Sequence, residues 1–245
     1  MKSLNIAHRG FSALYTENTM RAFKEAYEAG ADGIELDVRL AKDGEVVIFH
    51  DSKLKRMTGA KGNLHDYTLE ELKTYPMRDN TLERKTEQTI IPTLLEYFEW
   101  AKDKPIITNI ELKSIKKNYQ LELRVAELIQ THKVGEQIII SSFLENSLNR
   151  MKILAPEIKT GLLLSKYDED SIKMAKEMGF DYVHLKANNL TEEIIETANT
   201  HGLCINTWTV NEQKDLEKAN ALGLHGIITD FPDRLRLIQD SNDSV

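Results

Sequence analysis

Eight apolar runs alternating with helix-patterned stretches predict an α/β protein closed into a (β/α)8 TIM barrel, with a hairpin and a small insertion after its second strand. Two further observations favour a barrel over an open doubly wound sheet. Polar residues stand at the ends of several different strands, where barrels place their chemistry. No G-x-G-x-x-G or P-loop follows the first strand, where an open sheet usually binds phosphate. A length of 245 residues suits one such barrel, and the expected organisation is a single domain spanning 1–245.

Leu4-Asn5-Ile6-Ala7 reads as the first strand and ends in His8-Arg9-Gly10. Asn18-Thr19 looks like a helix start, followed by Met20, Ala22, Phe23, Ala26 and Tyr27 at helical spacing, and Gly30 closes that helix. The second strand is Gly33-Ile34-Glu35-Leu36-Asp37-Val38. Its alternation puts Glu35 and Asp37 on one face and Ile34, Leu36 and Val38 on the other. Asp43-Gly44 then signals a turn, and Val46-Val47-Ile48-Phe49 a strand that ends in His50-Asp51. The link from Val38 to Val46 is too short for the crossover that a parallel pair needs, so an antiparallel hairpin is expected. Such a hairpin returns His50 toward the strand end it left.

Residues 52–91 are polar, with Gly59, Gly62, Pro76 and one short helical piece at 69–73, and read as an inserted excursion. About forty residues form only a marginal core alone. Regular alternation follows. Strands are expected at 106–112, 138–140, 162–164, 182–185, 203–208 and 226–229. Helices are expected at 94–102 after Pro92-Thr93, then at 119–132, 145–154, 171–178, 191–201, 211–222 and 233–238.

The bulk numbers exclude several classes. Hydrophobic residues are 41% of the chain and charged residues 29%, enough for a sizeable core. The formal charge of −7, from 32 basic and 39 acidic residues with no long basic run, argues against a nucleic-acid partner. No apolar stretch approaches a membrane span, and residues 1–10 lack the apolar core of a secretion signal, so a cytoplasmic protein is expected. Cys204, the only cysteine, has no partner for a disulfide or a thiolate metal site and reads as a small buried residue on a strand.

The chemistry starts from Glu35 and Asp37. Two carboxylates on one face repel each other and are costly to bury, a cost that a divalent cation between them removes. Reading the barrel's strand ends adds His8 and Arg9 from the first strand and Glu111 and Lys113 from the third. Glu35, Asp37 and Glu111 can converge on one ion, and their hard oxygens select Mg²⁺ or Ca²⁺ over zinc. Arg9 and Lys113 beside such a centre suggest an anionic substrate, and the arginine fork suits phosphate. His8 and His50 supply groups that titrate near neutral pH, one to take a proton and one to give it. Together these residues read as a metal-dependent phosphodiesterase. His65, His132, His184, His201 and His225 have no partner motif and read as structural.

The sequence also resembles the glycerophosphodiester phosphodiesterase family. The resemblance rests on an ordered set: His8-Arg9-Gly10, Glu17-Asn18-Thr19, Glu35-Leu36-Asp37-Val38, Asp43-Gly44 with Val46-Val47, His50-Asp51, Ile91-Pro92-Thr93-Leu94, Glu111-Leu112-Lys113, Trp208-Thr209-Val210-Asn211 and Thr229-Asp230. It implies a barrel with an excursion after the second strand, and hydrolysis of glycerophosphodiesters, a small-molecule substrate class, to glycerol 3-phosphate and an alcohol. It further implies Glu35, Asp37 and Glu111 as metal ligands, His8 and His50 as the acid–base pair, Arg9 and Lys113 on the phosphate, and Trp208 near the substrate. Thr16 stands where the family often has proline. Glu17 is expected to order the first loop, through backbone or Arg9, and Phe143 to wall the pocket. The competing readings are a lysophospholipase D or phospholipase-C-like barrel, which predicts an apolar rim, and a barrel that binds glycerol phosphates without turnover.

Overall fold

The computed structural model describes residues 2–78, 89–114 and 120–242. Among these residues nine strands form one sheet: β1 (Leu4–His8), β2 (Gly33–Leu40), β3 (Val46–Ile48), β4 (Ile107–Leu112), β5 (Ile138–Ser142), β6 (Lys159–Leu164), β7 (Tyr182–Lys186), β8 (Cys204–Trp208) and β9 (Gly226–Thr229). Their order is β1-β9-β8-β7-β6-β5-β4-β2-β3, and β1 also pairs with β2, so eight strands close into a ring and β3 stays outside it. Ring neighbours are parallel, whereas β3 runs antiparallel to β2 with Val38 opposite Ile48, as the short connection requires.

Between the strands lie α1 (Met20–Glu28), α2 (Lys55–Thr58), α3 (Leu69–Lys73), α4 (Leu94–Ala101), α5 (Gln120–His132), α6 (Glu145–Leu154), α7 (Glu169–Glu177), α8 (Glu192–Thr200), α9 (Gln213–Ala221) and α10 (Pro232–Asn242). Outward-facing strand residues and inward-facing helix residues make the main core. Ile34, Leu36 and Val38 of β2 pack in one cluster with Phe23 and Ala26 of α1 and Tyr97 and Phe98 of α4. Each such fully buried side chain contributes roughly 1.5–3 kcal/mol relative to exposure. The other face of β2 is thereby left for Glu35 and Asp37.

Helix starts follow local chemistry. Thr93 accepts from Glu96 N while the Glu96 carboxylate accepts from Thr93 N, a capping box that sets α4 directly after Pro92. Asp168 and Ser171 make the same reciprocal pair, which starts α7 at Glu169, two residues earlier than periodicity indicates. Asn211 is drawn into side-chain bonds with Asp230 instead of opening a helix, so α9 begins at Gln213. Tyr119, the expected start of α5, lies outside the described residues.

The excursion has its own apolar floor. Val47 and Phe49 from the hairpin pack with Leu54, Met57, Leu64, Leu72, Met77 and Ile91. Within it, α3 matches the expected helical piece, and α2 is additional. Residues 79–88 of the excursion lie outside the described residues. Cys204 corrects one expectation: it is exposed as the first residue of β8, on the face opposite the next residue, Ile205, which packs into the core. Among the described residues, no helix is long and apolar enough to cross a membrane.

Candidate active site

The first strand delivers its functional residues through a tight turn. Arg9 adopts φ 57° and Gly10 φ 80°. A left-handed conformation is costly for arginine, and such strain is often held at functional sites. Gly10 is required by close approach as well, since a Cβ there would lie 2.7 Å from the Ala22 carbonyl carbon. The turn aims Arg9 N at Glu35 Oε2, 2.9 Å away, and brings Arg9 Nε to 3.3 Å from Asp37 Oδ2. Arg9 Nη1 donates to Glu17 Oε1 at 2.9 Å, so Glu17 orders this loop through Arg9.

Glu35 and Asp37 project from β2, and the β2–β4 register sets Asp37 directly beside Glu111. Oxygens of all three buried carboxylates lie within 4.8 Å of one another. Lys113 Nζ sits 3.0 Å from Asp37 Oδ1 and also donates to Glu111 Oε1. Asn18 grips Asp37 from below: its Nδ2 donates to Oδ2 at 2.8 Å and its Oδ1 accepts from Asp37 N at 3.2 Å. Burial, then the Asp37 charge, push the Glu35 carboxyl well above its ordinary range. Burial and Asp37 likewise raise Glu111. Burial opposes ionisation of Asp37 too, but Lys113 and Arg9 outweigh it and hold that carboxyl low.

The donor set fits a hard divalent cation. Three carboxylates crowd together, Asp37 Oδ1 is buried without a hydrogen-bond donor of good geometry, and two of the acids resist ionisation where they stand.

His50 arrives by the hairpin. Its main-chain carbonyl accepts from Arg39 Nε at 2.8 Å and Arg39 Nη2 at 2.6 Å, and Arg39 Nη1 reaches Lys113 O at 3.4 Å. One guanidinium thus ties the returning arm of the hairpin to the end of β4. His50 Nδ1 lies 2.7 Å from Asp51 Oδ1, and His8 Nδ1 lies 2.6 Å from Asp230 Oδ1. A carboxylate at Nδ1 favours the tautomer whose Nε2 is free to exchange a proton. Burial lowers His8, but the Asp230 hydrogen bond and the Glu35 charge overcome it, and its pKa is raised. For His50, burial wins with help from Arg9 and Lys113 against Asp37, and its pKa is lowered. The two imidazoles are therefore pushed apart in acidity, as suits a donor and an acceptor working together.

His8, Arg9, Glu35, His50, Glu111, Lys113 and Trp208 line one cavity of about 230 Å³, and Asp37 lies buried beside it. Phe143 walls the same cavity, its ring edge-on to Trp208 at 5.6 Å. The Trp208 indole N–H is spent on His184 O at 2.9 Å, which fixes the ring's orientation. A neighbouring cavity of about 280 Å³ between hairpin and excursion shares Lys113 but has no carboxylate in its lining. Glu35, Glu111, His8 and His50 therefore all belong to the smaller one.

Sequence reading misses several members of the site. Asp51 and Asp230 stand next to recognisable strand ends, yet nothing in the sequence pairs them with His50 and His8. Asp230 is itself held by Ser12 Oγ at 3.0 Å and Asn211 Nδ2 at 2.6 Å. Asn18-Thr19 reads only as a helix start, and Thr19 is indeed the cap, accepting from Ala22 N; the second role of Asn18 is not visible in sequence. Asn18, at φ 56°, is turned to Asp37.

The chain is similar over nearly its whole length to known proteins. A glycerophosphodiester phosphodiesterase of Caldanaerobacter subterraneus subsp. tengcongensis is 41% identical over 96% of this chain and 97% of its own. Another, from Bacillus altitudinis, is 37% identical over 96% of this chain and 97% of its own. The structure of an Oleispira antarctica phosphodiesterase in complex with the product sn-glycerol-3-phosphate superposes with a TM-score of 0.89 at 27% identity, covering 96% of each chain. The model of the glycerophosphoryl diester phosphodiesterase family matches residues 8–234, from the first cavity-lining histidine to the start of the last helix. Barrel, strand-end acids and sequence thus agree: this chain belongs to the glycerophosphoryl diester phosphodiesterase family, and its enzyme class is phosphoric diester hydrolase.

Proposed function

We propose that this chain, as one barrel domain with its excursion, cleaves glycerophosphodiesters to glycerol 3-phosphate and an alcohol, using one divalent cation and two histidines. The observation that carries the reading is the convergence of three buried carboxylates and two aspartate-held imidazoles at one cavity. Glu35, Asp37 and Glu111 would hold Mg²⁺ or Ca²⁺. When bound, the ion supplies positive charge that polarises the phosphate and offsets developing negative charge. Arg9 and Lys113, already drawn to these acids, keep cationic charge at the wall where phosphate oxygens would lie.

Of His8 and His50, one takes the proton from the attacking oxygen, which is water or the substrate's own glycerol hydroxyl. The other gives a proton to the departing alcohol oxygen. Asp230 and Asp51 hold the rings in the tautomer that this exchange requires. Trp208 and Phe143 form the apolar wall beside the alcohol.

One observation favours a second reading, a lysophospholipase D: Phe143 is 45% exposed at the mouth and offers an apolar lip to an acyl chain. Release of glycerol 3-phosphate from glycerophosphocholine, compared with turnover of its monoacyl counterpart, separates the two. Faster deacylated turnover, abolished by His8→Ala and by His50→Ala, is expected. Turnover of neither substrate contradicts both readings.

A further inference from the structure

The excursion carries a residue that touches both halves of the site. Arg56, on α2, points its guanidinium between Asp51 and Glu17. Its Nε donates to Asp51 Oδ2 at 2.7 Å and its Nη2 to Asp51 Oδ1 at 3.0 Å. The same Nη2 donates to Glu17 Oε1 at 2.7 Å, and Nη1 donates to Glu17 Oε2 at 2.8 Å. Each carboxylate has a second engagement inside the site: Asp51 with His50 Nδ1 and Glu17 with Arg9 Nη1. The bonds therefore run without a break from His50 through Asp51, Arg56 and Glu17 to Arg9.

We infer that Arg56 is a positioning residue, which holds His50 and Arg9 in working geometry through Asp51 and Glu17. The inference rests on the roles given above to His50 and Arg9. Arg56 does not line the catalytic cavity, so it acts only through its two carboxylates.

Three features separate this arrangement from an ordinary surface ion pair. An isolated exposed pair contributes about 0–1 kcal/mol, largely because two long side chains must be ordered for one contact. Here a single planar fork serves two carboxylates at once, a geometry a lysine ammonium cannot reproduce. The backbone beneath it is also fixed, because Leu54 and Met57 on either side of Arg56 are buried in the excursion's apolar cluster. Finally, among the described residues no other side chain donates to both Asp51 and Glu17, so removing Arg56 leaves two like charges facing each other and loosens their hold on His50 and Arg9. An inserted segment that looks peripheral is thereby coupled to the chemistry.

The test is hydrolysis of glycerophosphocholine by the full-length enzyme and its variants, with thermal unfolding followed alongside. Arg56→Ala is expected to lower kcat by roughly tenfold to a hundredfold, the scale of a displaced catalytic group. Arg56→Lys should fail to restore the rate, and free guanidinium added to Arg56→Ala should restore part of it. In an Asp51→Asn background, Arg56→Ala should cost less than it does in the parent enzyme, because the arm to His50 is already broken and only the Glu17–Arg9 arm is left to lose. If His50→Ala is inactive while Arg56→Ala turns over within twofold of the parent enzyme, the inference is overturned and the reading of the site stands. An Arg56→Ala loss that is fully additive with Asp51→Asn overturns it as well. Full turnover by His50→Ala overturns the site reading and this inference with it.

Discussion

His8 Nδ1 and Asp230 Oδ1 stand 2.6 Å apart, so a residue at the end of β1 and one just after β9 meet at the seam where the barrel closes. The same contact that bridges the closing strands also orients the His8 imidazole. Asp230→Asn keeps the shape but offers an amide that can donate to Nδ1 and stabilise the wrong tautomer. Its kcat for glycerophosphocholine should fall by roughly 10²–10⁴-fold, the range that general acid–base catalysis supplies. A kcat near that of the parent enzyme would remove Asp230 from the account.

Gly10 has a purely steric demand, with φ 80° and the Ala22 carbonyl carbon 2.7 Å from where a Cβ would sit. Gly10→Ala should cost about 2–5 kcal/mol, from the left-handed backbone and from overlap with α1. Urea unfolding measures this directly. Turnover should fall too, since Arg9 shares the turn.

His184 gives a pH dependence of stability that is independent of the active-site acids. It is fully buried, near Asn206, with Nδ1 lacking a partner, and burial followed by the nearby His225 pushes its pKa down to about 3. Above pH 6.5 neither folded nor unfolded chain protonates this group, and its contribution is complete. Between pH 6.5 and 3 the unfolded state takes up a proton that the folded state refuses, so stability falls as pH falls. The limiting slope is about 1.4 kcal/mol per pH unit. His184→Gln removes the titration, so urea unfolding at pH 7 and pH 4.5 should show a smaller acid loss in the variant than in the parent. Equal losses would contradict this assignment.

The parts of the molecule legible in sequence are those governed by local periodicity. Ile34, Leu36 and Val38 alternate with Glu35 and Asp37, and one strand face becomes core while the other becomes site. The short Val38–Val46 link forces the antiparallel return, which places His50 at the cavity that Glu35 and Glu111 also line. What sequence conceals depends on side chains meeting across the fold. Asp230 is 222 residues from His8, and Arg56 lies on a four-residue helix too short to show a period. Asn18 gives the same local signal as a helix cap, and only the left-handed turn at Asn18 sends it to Asp37. Cys204 has the chemistry of a core residue but stands on the strand face opposite the core-facing Ile205, and a single residue type does not tell the two faces apart.

Glu35, Asp37 and Glu111 are proposed to share one divalent cation that hydrolysis needs. Glycerol 3-phosphate release from glycerophosphocholine, measured before chelation, in excess chelator and after return of Mg²⁺ or Ca²⁺, tests it most directly. The predicted result is loss of turnover in chelator and recovery with the metal in the parent enzyme, with no recovery in Glu111→Gln. Undiminished turnover in chelator would contradict it.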